Sequence, residues 1–235
     1  MKINKPKIVA LIPARGGSIS IPNKNLVNLG NKPLIQWSID LAKKILPNEN
    51  IYVSSDNIKI LNFALKNKIM IQKRPKKLST SSSLVIDTVN YFCKEIAKKE
   101  KPIDIIIFLE PTSPFRKSKL IRKALNRLIK NNLDSISSFI PSKTLPERQW
   151  IINKSVVRPL NNKLCWTPRQ KLNKKFELDG SIFIFKTNKN HKNNIIFGKK
   201  GSIILKSEDV IEIDNLNDLD YARFIIKKRK FLNDL

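Results

Sequence analysis

Residues 7–25 read KIVALIPARGGSISIPNKN, and the meaning given to the apolar run at its start decides the fold. Ile8 to Ile12 are far short of the ~20 apolar residues a membrane helix requires, and no other stretch comes closer. Basic residues ahead of the run superficially suggest a secretory leader, but it is short and breaks at Pro13. A strand buried on both faces of a parallel sheet fits better, and a cytoplasmic protein is expected. The glycine pair Gly16 and Gly17 follows directly. Such a pair after a parallel strand lets backbone N–H groups approach phosphate oxygens, and Arg15 and Lys24 supply positive charge to the same loop. The spacing is neither GxxxxGK[ST] nor GxGxxG. An ordinary turn also uses two glycines; the position at the carboxyl end of the first strand, where open α/β sheets bind ligands, favours the phosphate reading.

Outward from that stretch, apolar runs rich in Ile and Val alternate with segments of helical period, the pattern of βαβ units. Strands are expected at Lys7–Pro13, Ile51–Ser55, Ile69–Gln72, Ile103–Leu109, Asp134–Phe139, Ser181–Phe185, Ser202–Leu205 and Val210–Ile213. Helices are expected from Pro33 to about Leu46, at Asp56–Asn67, at Ser83–Lys99 with a serine run marking its start, at Lys117–Asn131, and at Leu216–Phe231 as an amphipathic closing helix. From Pro141 to Asp179 the alternation fails. Trp150, Trp166 and Phe176 stand there among polar neighbours, so this arm reads as an excursion that meets a subunit or a substrate, with a locally packed loop as the alternative.

The composition narrows the function. The 235 residues suffice for one self-supporting domain. Cys93 and Cys165 lie far apart, and His191 is the only histidine, which argues against zinc and histidine-based triads. The net charge of +27 would suit a nucleic-acid partner. However, 36 of the 46 basic residues are lysine, spread end to end alongside heavy Asn and Ile use, so a compositional bias explains them better than a binding footprint. The charge still raises the local concentration of anionic substrates.

Residues 9–35, VALIPARGGSISIPNKNLVNLGNKPLI, resemble the opening of the cytidylyltransferases that make CMP-activated nonulosonic acids, the CMP-sialic, legionaminic and pseudaminic acid synthetases. The likeness continues in family order through VSSD (53–56), KRP (73–75), LEPTSPFR (109–116), PRQ (168–170), LDGSIFI (178–184) and IEID (211–214). The resemblance implies a three-layer α/β/α, nucleotide-diphospho-sugar transferase-like (Rossmann-like) domain over 1–235. Its sheet would be mixed and mostly parallel, and 141–179 would be an inserted dimerisation arm. It also implies CMP transfer from CTP to an acidic 2-keto-3-deoxy sugar, Mg²⁺ as cofactor, and a homodimer. Alternatives left open are another nucleotide or sugar, and a silent nucleotide-sugar or nucleic-acid binding protein.

Carried over residue by residue, the resemblance places Arg15, Gly16, Gly17, Ser18, Lys24, Asn25, Arg74 and Ser83 on the nucleotide. It places Glu110, Thr112, Ser113, Arg116 and Asp179 toward the sugar, and makes Arg15, Lys24 and Arg169 the catalytic cations. Glu212 and Asp214 would hold the metal, because residues two apart in a strand share a face and hard carboxylate oxygens suit Mg²⁺. Four positions depart from the family pattern. Ile19 replaces a lysine, Glu110 replaces a glutamine and so loses an amide donor, and Glu177 and Asp179 stand where an arginine and an asparagine are common.

Overall fold

The structure, a computed structural model, describes residues 5–187 and 194–233; His191 lies outside them. In chain order the strands are β1 (Ile8–Pro13), β2 (Asn28–Leu29), β3 (Lys32–Pro33), β4 (Ile51–Ser55), β5 (Met70–Lys73), β6 (Ile105–Phe108), β7 (Ser135–Pro141), β8 (Trp150–Asn153), β9 (Val156–Pro159), β10 (Phe176–Lys186) and β11 (Lys200–Ile204). The helices are α1 (Leu34–Lys43), α2 (Ile58–Lys66), α3 (Val85–Ala97), α4 (Ser118–Lys130) and α5 (Leu216–Asn233).

Seven strands form one sheet in the order β11-β7-β10-β6-β1-β4-β5. Every neighbouring pair is parallel except the two made by β10. Both faces are covered, which explains the unbroken apolar runs. In β1, Ala10 and Ile12 join one core with Ile35 and Ile39 of α1, Ile60 of α2 and Ile121 of α4. Val9 and Leu11 point the other way, into a core with Val89 and Phe92 of α3. Burying one such side chain contributes about 1.5–3 kcal/mol. The result is the three-layer arrangement expected from the sequence.

Four differences bear on the site. Val210–Ile213 is not a strand: it is extended but joins no sheet, held by Ile213 N–H donating to the Thr112 carbonyl at 2.8 Å. Its alternation survives without a ladder, since Ile213 is fully buried while Glu212 and Asp214 are exposed. β10 starts five residues earlier than expected, at Phe176, and carries a bulge: pairing moves from Leu178–Phe139 to Phe183–Ser137. Gly180, at φ +71°, supplies the left-handed turn within it. Pro33 lies just ahead of α1 rather than in its first turn, ending a short hairpin of β2 and β3. Finally, α5 buries only a narrow stripe, Leu219 and Ala222 with Ile226 partly covered, and leaves Leu216, Tyr221 and Phe224 exposed.

Candidate active site

A cavity of about 300 Å³ opens where β1, β5 and β6 end. Parallel strands all present their carboxyl ends on one side, so the loops leaving them meet there. The lining brings together three cations, Arg15, Lys24 and Arg74, and three carboxylates, Glu110, Glu212 and Asp214.

The glycine loop after β1 is organised by its neighbours. Gly16 N–H donates to Asp56 Oδ1 at 2.9 Å, so that amide is already engaged, contrary to the simple picture of two free glycine N–H groups. A Cβ on Gly16 would stand 2.7 Å from Asn57 Cβ, and Asn57 cannot retreat because its Oδ1 caps α2 through Lys59 N–H at 2.8 Å. Gly17 has open space around it. Asn25, buried, donates to the Arg15 carbonyl at 2.9 Å and closes the loop. Ile19 is 81% exposed, so its side chain is not packed into the core.

Arg74 is buried at the end of β5, with one guanidinium nitrogen donating to Thr88 Oγ1 at 3.0 Å and Nε without a partner. Burial lowers its pKa, as does the charge of Arg15, against the opposing pull of Asp56. Ser83 lines the cavity together with Ser79, Thr80 and Ser81. Of the serine run only Ser83 is expected at the nucleotide; the adjacent hydroxyls of Ser79, Thr80 and Ser81 extend it into a polar wall. Within this wall Thr80 Oγ1 and Ser83 Oγ hydrogen-bond each other at 2.8 Å.

On the opposite charge, burial pushes Glu110 up to about 7, with Glu212 and Asp214 adding to the shift while Arg116 and Lys24 oppose it. Partial desolvation and then Asp214 raise Glu212 as well. Lys24 Nζ reaches Asp214 Oδ1 at 3.1 Å and the Ile213 carbonyl at 2.9 Å. Glu212 Oε1 would lie 3.1 Å from a Cβ on Gly180 of β10, so that glycine makes room for it.

The residues expected toward the sugar divide. Glu110 and Thr112 line the cavity; Ser113, Arg116 and Asp179 do not. Arg116 is sunk beneath the cavity, donating to Glu110 O at 2.7 Å, Ser38 Oγ at 2.5 Å and Ser181 O at 3.3 Å. Burial lowers it to about 10. Buried Asp179 accepts from the Ser138 hydroxyl and from Ser181 N–H. Ser113 and Arg116 depart from the expectation because the turn after β6 folds back toward β10, where Arg116 meets the Ser181 carbonyl; Asp179, on β10 beside its bulge, is buried against Ser138. Arg169 also lies elsewhere in its own chain, in a short turn of the arm, donating to Lys143 O at 3.1 Å. Ser18 lines the cavity.

The cytidylyltransferase family matches residues 9–220. N-acylneuraminate cytidylyltransferase A of Danio rerio is 29% identical over 88% of the chain, which spans only 48% of that protein's length. A pseudaminic acid cytidylyltransferase of Campylobacter jejuni is 28% identical, with 94% of this chain and 97% of that one covered. The solved structure of a CMP:2-keto-3-deoxy-manno-octonic acid synthetase complexed with CTP superposes with a TM-score of 0.68 at 14% identity, covering 95% of this chain and 99% of the other. At that identity the likeness speaks for the fold.

Proposed function

The chain belongs to the cytidylyltransferase family, and from that membership we propose that it transfers CMP from CTP to the anomeric hydroxyl of a 2-keto-3-deoxy nonulosonic, sialic-acid-like sugar, releasing pyrophosphate. The observation that carries this reading is the single cavity in which Arg15, Lys24 and Arg74 meet Glu110, Glu212 and Asp214. Cations alone would serve any polyphosphate; cations beside paired carboxylates suit one that arrives with a divalent metal.

Arg15 and Lys24 hold the triphosphate, with Ser18 and the Gly17 N–H at the loop's open side. Arg74 and the hydroxyls of 79–83 bind the rest of the nucleotide. Glu212 and Asp214 fit Mg²⁺ in donor type. Among the described residues no group of three or more His, Cys, Asp or Glu could hold a metal, so the remaining ligands would come from phosphate and water, as Mg²⁺ commonly accepts. When bound, the ion would neutralise phosphate charge during displacement at the α-phosphorus. The protein's own part is positioning and charge: Arg15 and Lys24 fix the leaving pyrophosphate, and Thr112 and Glu110 border the space for the sugar. Asp179 and Arg116 shape that space from behind.

Arg169 acts on the ligand of a second subunit. This rests on the arm: Trp150 and Trp166 stack edge to face at 5.7 Å, yet Trp166 is 79% exposed and Ile152 and Val156 are exposed beside them. Such a patch fits a homodimer contact. The two cysteines are free and CTP is a cytoplasmic substrate, which fits a cytoplasmic enzyme. Among the described residues no helix is long and apolar enough to cross a membrane.

The test is pyrophosphate release from CTP with sialic, legionaminic and pseudaminic acids in parallel, with UTP and GTP as comparators. Turnover with one acid and CTP is expected. Release from UTP or GTP in preference to CTP, or from no pairing at all, would overturn the assignment.

A further inference from the structure

Lys24 belongs to the loop proposed to hold the phosphates, yet its ammonium is bonded to Asp214 Oδ1 and to the carbonyl of Ile213, the backbone oxygen between the two carboxylates that would hold the metal. Its side chain is 14% exposed and that of Asp214 is 66% exposed. The lysine is therefore packed into the cavity wall and covers the inner side of a carboxylate that otherwise faces solvent. A divalent cation on Asp214 would share this space with an ammonium ion, and like charges in a partly desolvated site repel strongly.

We infer that Lys24 is a placeholder for the divalent cation, holding Asp214 until a polyphosphate draws the lysine away. Phosphate oxygens make charge-assisted bonds to an ammonium, and the loop that carries Lys24 is the one that meets them. Transfer of the lysine from carboxylate to phosphate frees Asp214 at the moment when metal and nucleotide arrive together. Metal affinity and polyphosphate affinity are then linked, and reciprocally so. Without nucleotide, the pocket is neutralised internally and holds metal poorly. The inference rests on the assignment of Asp214 to the metal.

Mn²⁺ serves as the probe, its free concentration read by electron paramagnetic resonance with the nucleotide-free chain. Lys24→Met should bind Mn²⁺ about fivefold or more tightly than the wild type, the lower end of typical coupling factors. Lys24→Gln, which keeps a polar head without the charge, should do the same. The gain should vanish in the Lys24→Met/Asp214→Asn double variant, and Arg15→Met should gain less, because Arg15 makes no such bond. Circular dichroism checks that each variant folds. Unchanged affinity in both folded Lys24 variants, a gain that survives Asp214→Asn, or an equal gain from Arg15→Met would overturn the placeholder. A parallel titration with CTP separates the two assignments. If Asp214→Asn weakens Mn²⁺ binding with CTP while the Lys24 variants change nothing without it, the placeholder alone fails. If Asp214→Asn has no effect with CTP, the metal assignment fails and the placeholder with it.

Discussion

Glu110 is the residue at which sequence and surroundings pull hardest against each other. A carboxyl at the end of a buried strand, facing two other carboxylates, is pushed up to about 7, with Arg116 and Lys24 as the opposing charges. A raised folded-state pKa means that the favourable protonated form contributes fully below the ordinary carboxylate range, and that this contribution is lost as pH rises through about 7. Glu110→Gln has no proton to lose. Measured by urea unfolding without nucleotide or divalent ions, it should match the wild type near pH 4 and exceed it by roughly 3 kcal/mol near pH 8. A difference that does not change with pH would contradict this environment. The sequence exposed Glu110 as an oddity; it could not reveal that Arg116 supports it from below through the main-chain carbonyl.

At the scale of elements, the arm between β7 and β10 is where local pattern says least. In the sequence, 141–179 shows a failure of alternation and aromatics among polar neighbours, and no hairpin. In the structure a hairpin forms there, β8 against β9, turning at Lys154 with φ +53°. Two four-residue strands with no core beneath them leave no clear period, because both faces carry exposed apolar and polar groups alike. The exposed indole of Trp166 contributes little to its own chain, so Trp166→Ser should leave urea stability within about 0.5 kcal/mol. Sedimentation should show self-association weakened about tenfold or more, as expected for a tryptophan anchor. Unaltered association would remove the arm from the subunit contact. The acidic segment at 212–214 gives a different lesson. The strand expectation was wrong, but the alternation behind it held, because a buried Ile213 fixes the facing of its neighbours whether or not a ladder forms.

For the molecule as a whole, the decisive question is whether one chain completes a site. Arg169 lies in the arm, apart from the residues lining the cavity. Arg169→Ala should lower turnover far more than stability, and Arg169→Lys should restore only part of it, because a planar guanidinium suits carboxylate or phosphate better than an ammonium. Mixing Arg169→Ala chains with inactive Asp214→Asn chains should regain activity, since a mixed dimer holds one intact pair; exchange of subunits without any return of activity would confine each site to its own chain. The sequence by itself determined the α/β class, the core strands β1, β4 and β6, and the glycine loop that follows β1, because apolar runs buried on both faces and a glycine pair after a strand are local signals. Only the tertiary structure decided that Gly16 gives its N–H to Asp56, that Arg116 and Asp179 point into the protein, and that Lys24 pairs with Asp214. Each of those outcomes joins residues from distant segments, and a buried charge takes whichever partner the packed sheet brings within hydrogen-bonding reach.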